Sequence, residues 1–337
     1  MSGAGIAVLV GALATFVGCR KPSVAGTITV DGSSTVFPIT EAVAEEFGKL
    51  NPAVKVTVGI SGTGGGFKKF CAGETDITDA SRVIKQAEID ACARSGIQYV
   101  ELPVAYDGIA IVVNPKNSWA QDVTVDQLGK LWAPAAQGVV MKWSDVRVGW
   151  PDREIHLFGP GVDSGTYDYF TEAVVRQAHS SRGDFTSSED DNVLVQGIAN
   201  DELALGFFGF AYYEENTDKL KLLPVNDGKA ENGDGPIAPS AETIRNGTYQ
   251  PLARPLFVYV ALKSLDRPEV LDFVKFYLDQ GRELVREVGY VALPDRAYPL
   301  ALQRVETRRT GTMFAGGSHV GVTIDTLLEQ EAAAAPQ

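Results

Sequence analysis

Hydroxyl side chains sit beside glycines at three places where a strand pattern gives way to a helix pattern: DGSST at 31–35, SGTGGG at 61–66 and DSGT at 163–166. Ser34, Thr35, Ser61, Thr63, Ser164 and Thr166 offer O–H donors, while Val36, Gly165 and the glycine run offer backbone N–H groups with little side-chain obstruction. A helix start exposes unpaired donors and the positive end of its dipole, so an oxyanion can settle there without a dedicated cation. DITDASR, closing the second unit, adds Ser81 and Arg82, and a buried guanidinium suits such a ligand. The competing reading for Ser34 and Thr35 is N-capping, and the same holds for Asp163 before the helix expected near Gly165.

The elements around these turns alternate. Val54, Val56, Val58 and Ile60 repeat every second residue, whereas Val43, Phe47 and Leu50 repeat at helical spacing. Residues 61–66 read as a turn before a helix beginning at Phe67. Strands are expected at 99–104, 106–114 and 254–262, and Pro268 opens a helix with Val270, Val274 and Leu278 on one face. This order predicts an α/β fold with a mostly parallel sheet. The expected division is 27–106 with 255–304 as lobe 1, 107–254 as lobe 2, and a tail 305–337 with no assigned role. Two strand crossings, near 104–109 and 252–257, would form a hinge around a cleft.

With 337 residues, 45% of them hydrophobic, the chain can bury a full core, and its length favours two domains. A net charge of −13 without a basic run argues against a nucleic-acid surface. Residues 4–18 form an apolar run too short to span a membrane but suited to a signal peptide over 1–19, and 15–19 resembles a lipobox ending in a lipidated Cys19. Export leaves Cys71 and Cys92 as an even pair in an oxidising compartment, where a disulfide is expected, two free buried thiols being the alternative. His156, His179 and His319 are scattered and no metal-ligand spacing occurs, so neither a metal site nor an organic cofactor is expected. A P-loop fails because Lys68 is neither directly preceded by Gly nor followed by Ser or Thr, and a serine-hydrolase reading of Ser164 lacks the G-x-S-x-G elbow.

DGSSTVFPITEAVAEEF, GISGTGGGFKKFCAGETDITDASR, ELPVAYDGIAIVVNP, GPGVDSGTYDYFTEAVV and LGFFGFAYYEEN resemble, in order, segments of the phosphate-binding proteins of bacterial Pst-type ABC transporters. The resemblance implies a two-lobed periplasmic-binding-protein fold that closes on one dehydrated phosphate and hands it to a membrane permease. It implies no catalysis. Matched position by position, Ser34, Thr35 and the Val36 backbone fall on the family's first phosphate turn, Ser61 and Thr63 on the second, and Ser164, Gly165 and Thr166 on the Ser-Gly-Thr turn of the second lobe. The better-known branch has Asp after an Ala-Ser pair and Arg four residues before Ser-Gly-Thr; here these positions are Arg82 and Pro160. The charges are therefore expected to have traded lobes, with Arg82 as cation and Asp163 as acceptor of the phosphate proton, Asp31 and Asp79 being the next carboxylates to test. The expected protein is an exported, lipid-anchored monomer that binds inorganic phosphate and serves an ABC importer. A binder of another tetrahedral oxyanion such as sulfate, and an exported phosphatase, are the alternatives.

Overall fold

Strand β1 (Gly26–Gly32) carries parallel neighbours on both sides, β2 (Val54–Ile60) and β3 (Ile77–Ala80), so the chain leaves all three strands at one edge of the sheet. The computed structural model describes residues 25–314 with 320, 321 and 323; the apolar leader, Cys19 and most of the tail lie outside the described residues. Next comes β4 (Tyr99–Val113), buried along its whole length, and then the short β5 (Val123–Thr124). β6 (His156–Pro160) runs parallel to both β7 (Thr186–Ser188) and β8 (Ala204–Gly209). β9 (Lys221–Leu222) joins the edge of β4, and β10 (Val225–Asn226) pairs with β5. β11 (Ala253–Ala261) lies antiparallel to β3 and β4, and β12 (Val291–Ala292) pairs with β4.

The main sheet runs β2-β1-β3-β11-β4-β8-β6-β7. β4 belongs to both halves: its first part pairs with β11 and its second with β8, which makes the fold a two-lobed α/β architecture with crossing strands. The two strands expected at 99–104 and 106–114 are thus one. The register with β11 shifts between Leu256 and Phe257, opposite Pro103 and Ala105, leaving Val104 as the extra residue. Proline cannot donate to a ladder, and a bulge bends the pair locally, here where the lobes meet.

Helices α1 (Phe37–Leu50), α2 (Gly62–Cys71) and α3 (Gln86–Arg94) lie on the β1–β3 side of the sheet. α4 (Val125–Trp132), α5 (Trp143–Val146), α6 (Gly165–Val175), α7 (Asp191–Ala199), α8 (Phe210–Glu214) and α9 (Ala241–Arg245) follow. α10 (Pro268–Glu287) returns to the first lobe ahead of α11 (Ala297–Glu306). Its Val270, Val274 and Leu278 are buried, and Phe273 meets Phe47 of α1 edge to face at 5.3 Å. In the second lobe Phe170 of α6 stacks on Phe207 of β8 at 3.7 Å and meets Trp132 edge-on. These aromatic contacts bury large apolar area and hold α6 against its sheet. Cys71 and Cys92 form a disulfide joining α2 to α3. None of the described helices is long and apolar enough to cross a membrane.

Candidate functional site

The glycine run is helix rather than turn: α2 begins at Gly62, five residues ahead of the expected Phe67. Its glycines serve close approach. A Cβ on Gly66 would stand 2.6 Å from Gly32 Cα and 2.5 Å from Thr78 Oγ1, so α2 lies against β1 and β3 as only a side-chain-free helix can. Gly62 has φ +71°, and a Cβ there would meet Asp163 O at 2.5 Å, while Gly64 N donates to the same carbonyl at 2.8 Å. The start of α2 thereby touches the turn before α6 on the other lobe.

Ser34 and Thr35 are not caps. The cap position of α1 is Val36, without a side-chain cap bond, and its N–H reaches Ser33 Oγ at 3.4 Å. Thr35, fully buried, instead places Oγ1 3.0 Å from Thr166 Oγ1 across the cleft. The Ser34 hydroxyl turns to Asp191 Oδ2 at 3.4 Å. Thr63 Oγ1 lies 3.2 Å from Ser81 Oγ and also accepts from Ser81 N. Ser164 does cap α6, accepting from Thr166 N at 3.1 Å. A Cβ on Gly165 would lie 2.5 Å from both Ser81 Oγ and Thr63 Oγ1, which packs the α6 backbone directly on those hydroxyls.

The cation at the centre of this cluster is Arg254, at the start of β11. It is fully buried; Nη2 donates to Thr166 Oγ1 at 2.7 Å, to Asp107 Oδ2 at 3.0 Å and to Thr35 Oγ1 at 3.3 Å, while Nη1 reaches Ser81 O at 3.3 Å. Its Nε, also buried, has no hydrogen-bond partner. A buried guanidinium with a spare donor, ringed by hydroxyls and by the starts of α1, α2 and α6, can take up an oxyanion through charge-assisted hydrogen bonds.

Two carboxylates border Arg254. Asp107 on β4 is its ion-pair partner; burial pushes its pKa up and the guanidinium pulls it back. Asp191, which opens α7, is fully enclosed. Burial pushes it up to about 7, with Arg254 lowering and Asp107 raising it, and Oδ1 is without a partner.

Other expected site residues stand elsewhere. Ser61 donates to the Asp31 carboxylate, which also accepts from Lys69 Nζ at 2.6 Å, so its hydroxyl serves that ion pair and not the Arg254 cluster. Arg82, expected to face the anion, is committed to carboxylates: Nε to Asp168 Oδ2 at 2.5 Å, and Nη1 and Nη2 to Glu88 at 2.8 and 2.7 Å. With Val83 O accepting from Nη1 at 3.1 Å as well, its donors are taken up. Asp163, expected to accept the ligand's proton, neither caps α6 nor joins Arg254. Its side chain is 43% exposed and pairs with Lys68 Nζ at 2.9 Å. Asp79 lies fully buried on β3, away from the Arg254 hydrogen bonds.

The sequence reading places neither Arg254 nor Asp107 in the site, Asp107 being read as a hinge residue, although a signal for both existed. Each is a lone charge in an apolar strand, in RPLFVYVAL and in YDGIAIVVN. A charge that must be buried needs a partner, and two such strands form a natural pair.

The profile of the PBP superfamily domain matches residues 20–280. The chain is 51% identical to a protein named SphX of Synechococcus elongatus, over 90% of this chain and 88% of that one. It is 40% identical to the phosphate-binding protein PstS of Staphylococcus saprophyticus, over 81% and 82%. A crystal structure of a possible phosphate-binding protein from Planctomyces limnophilus shares 50% identity at a TM-score of 0.63, covering 85% of this chain and all of that one. A putative phosphate ABC transporter substrate-binding protein from Clostridium perfringens, solved with bound phosphate, shares 25% identity at a TM-score of 0.66, covering 80% and 100%. The chain belongs to the PBP superfamily and, within it, to the Pst-type phosphate-binding proteins.

Proposed function

We propose that this protein captures inorganic phosphate between its lobes and delivers it to the permease of an ABC importer. The carrying observation is the Arg254 guanidinium, which reaches hydroxyls of both lobes, Thr35 and Thr166, at the meeting point of three helix starts. Thr35, Thr63, Ser81, Ser164, Gly165 and Thr166 would replace the anion's water shell, with Arg254 supplying the charge. The lobes, 27–106 with 255–304 and 107–254, would close on it about the β4 and β11 crossings.

Asp191, rather than Asp163, is the carboxylate placed to accept the ligand's proton. Asp107 is taken up by Arg254 and by the backbone N–H groups of Gly108 and Phe210, whereas Asp191 keeps a free, buried oxygen beside the same guanidinium. Phosphate near neutral pH carries a proton that such an oxygen accepts; sulfate carries none and would leave the carboxylate facing its oxygens. That disfavours the sulfate reading. The phosphatase reading lacks support in the geometry, since the Ser164 hydroxyl is taken up as the cap of α6.

The protein acts as a monomer outside the cytoplasm, anchored through lipidated Cys19, and the Cys71–Cys92 bridge suits that compartment. Calorimetric titration with phosphate, arsenate and sulfate in parallel tests the reading. Tight phosphate and arsenate binding with sulfate excluded supports it, and no phosphate binding overturns it. Fractionation of Cys19→Ser tests the anchor: soluble protein is expected, and unchanged membrane retention defeats it.

A further inference from the structure

Behind the anion cluster lies a second set of contacts between the lobes. Arg82 and Lys85 follow β3 of the first lobe; Asp168 sits on α6 of the second, two residues past Thr166. Asp168 is 2% exposed and accepts from Arg82 Nε at 2.5 Å and Lys85 Nζ at 2.7 Å, with His179 Nε2 2.8 Å from its other oxygen. Glu88 holds the far edge of the Arg82 guanidinium by two bonds and accepts from Lys85 N at 2.8 Å at the start of α3, so the Arg82 fork is fixed with Nε toward α6. On its outer side the network borders a cavity of about 600 Å³ that Ile89, Tyr169, Arg176 and Phe314 also line. Apolar neighbours of the network, Val83, Ile84, Tyr167 and Tyr169, are buried beside it.

The network joins the two segments that carry anion ligands. Arg82 adjoins Ser81, and Asp168 lies half a turn beyond Thr166 on the face of α6 that meets the first lobe. Opening the cleft would part these charges and expose a carboxylate that is now buried and multiply bonded. With the cleft closed, removing one member leaves the others buried and uncompensated, which is strongly destabilising, whereas with the cleft open the same groups are hydrated and interact weakly. The contact therefore rewards the closed form selectively, which is what a ligand-retention device requires.

We propose that Asp168, with Arg82, Lys85 and Glu88, is a closure latch: a positioning network that sets how long the anion is held without touching it. This rests on the oxyanion-capture reading above. It also accounts for Arg82, which adjoins a site residue and yet faces away from the site.

The test compares wild type, Asp168→Asn and Lys85→Ala as full chains. Stopped-flow binding of inorganic phosphate should show dissociation at least about tenfold faster in Asp168→Asn with association changed less than about threefold, since affinity differences within one site lie mostly in the off-rate. Lys85→Ala, a partly exposed group, should show a smaller shift of the same kind, and the double variant should fall short of the product of the two because the residues share one contact. Small-angle scattering without ligand should give a larger radius of gyration for Asp168→Asn than for wild type. Wild-type off-rate and unchanged dimensions in a folded Asp168→Asn would overturn the latch. If that variant fails to fold, Lys85→Ala decides, a wild-type off-rate again being the negative result. Wild type that does not bind phosphate would sink the functional reading alone, since the ligand-free scattering comparison still supports or overturns the latch.

Discussion

Arg254 Nη2 stands 2.7 Å from Thr166 Oγ1, so a strand that crosses between the lobes holds the first turn of the second lobe's anion helix. Thr35 of the first lobe completes the group. Replacing Arg254 with Gln keeps a polar side chain but removes the charge facing a buried anion, and is expected to cost at least about 2 kcal/mol, roughly thirtyfold in affinity. Titration calorimetry measures it. A loss below about threefold would place the anion away from Arg254.

Asp163 and Asp191 make opposite predictions. Asp163→Asn disturbs a solvent-exposed pair with Lys68, the kind worth about 0–1 kcal/mol, so phosphate affinity should stay within about fivefold and sulfate should remain excluded. Asp191→Asn should weaken phosphate by about tenfold or more and narrow the preference over sulfate. Competition titrations with both anions decide between them, and the reverse ranking would restore Asp163 as acceptor.

Gly165→Ala is a one-methyl probe of closure. The added Cβ would sit 2.5 Å from both Ser81 Oγ and Thr63 Oγ1, so the hydroxyls must move or the lobes must part. Phosphate affinity should fall by about tenfold, while alanine, a good helix former, leaves α6 itself intact. Calorimetry with a thermal melt checks both halves, and an affinity within about threefold of wild type would refute the tight packing.

Asp79 should make stability fall as pH rises. Burial pushes its carboxyl from the ordinary 3.8 up to about 8, with a Thr40 hydrogen bond pulling it back and the Asp31 charge adding to the rise. The folded state thus holds a proton that the unfolded chain has already released between about pH 4 and 8. The stability this confers is present in full below about pH 4 and is lost as pH climbs through about 8. Asp79→Asn removes the titration, so its stability relative to wild type should improve by at least about 1 kcal/mol between pH 5 and pH 9. Urea denaturation at both pH values tests this, and a difference that is flat with pH would contradict it.

The Cys71–Cys92 bridge closes a loop with a sequence separation of 21. In the chain-entropy account a loop of that size contributes roughly 3 kcal/mol. The double Cys→Ser variant should therefore unfold at correspondingly lower denaturant with phosphate affinity nearly unchanged, since neither sulfur reaches the Arg254 cluster. Equal midpoints for variant and wild type would contradict the prediction.

The sequence by itself determined the α/β alternation, the crossing strands and the small, hydroxyl-bearing residues at the starts of α1, α2 and α6, because strand and helix periodicity, small residues and hydroxyls are local properties. The motif order between about residues 27 and 294 was enough to point to the family. It could not say which charge each turn would meet. Arg82 and Arg254 are both single arginines beside apolar strands, and only the folded chain shows Arg82 taken by Glu88 and Asp168 and Arg254 turned to Thr35 and Thr166. Asp163 and Asp191 likewise both precede or open a helix, yet one ends exposed beside Lys68 and the other enclosed beside Arg254. Burial and pairing depend on segments far apart in the chain, residues 107, 166, 191 and 254 in this case, and packing alone decides which of them share a low-dielectric space.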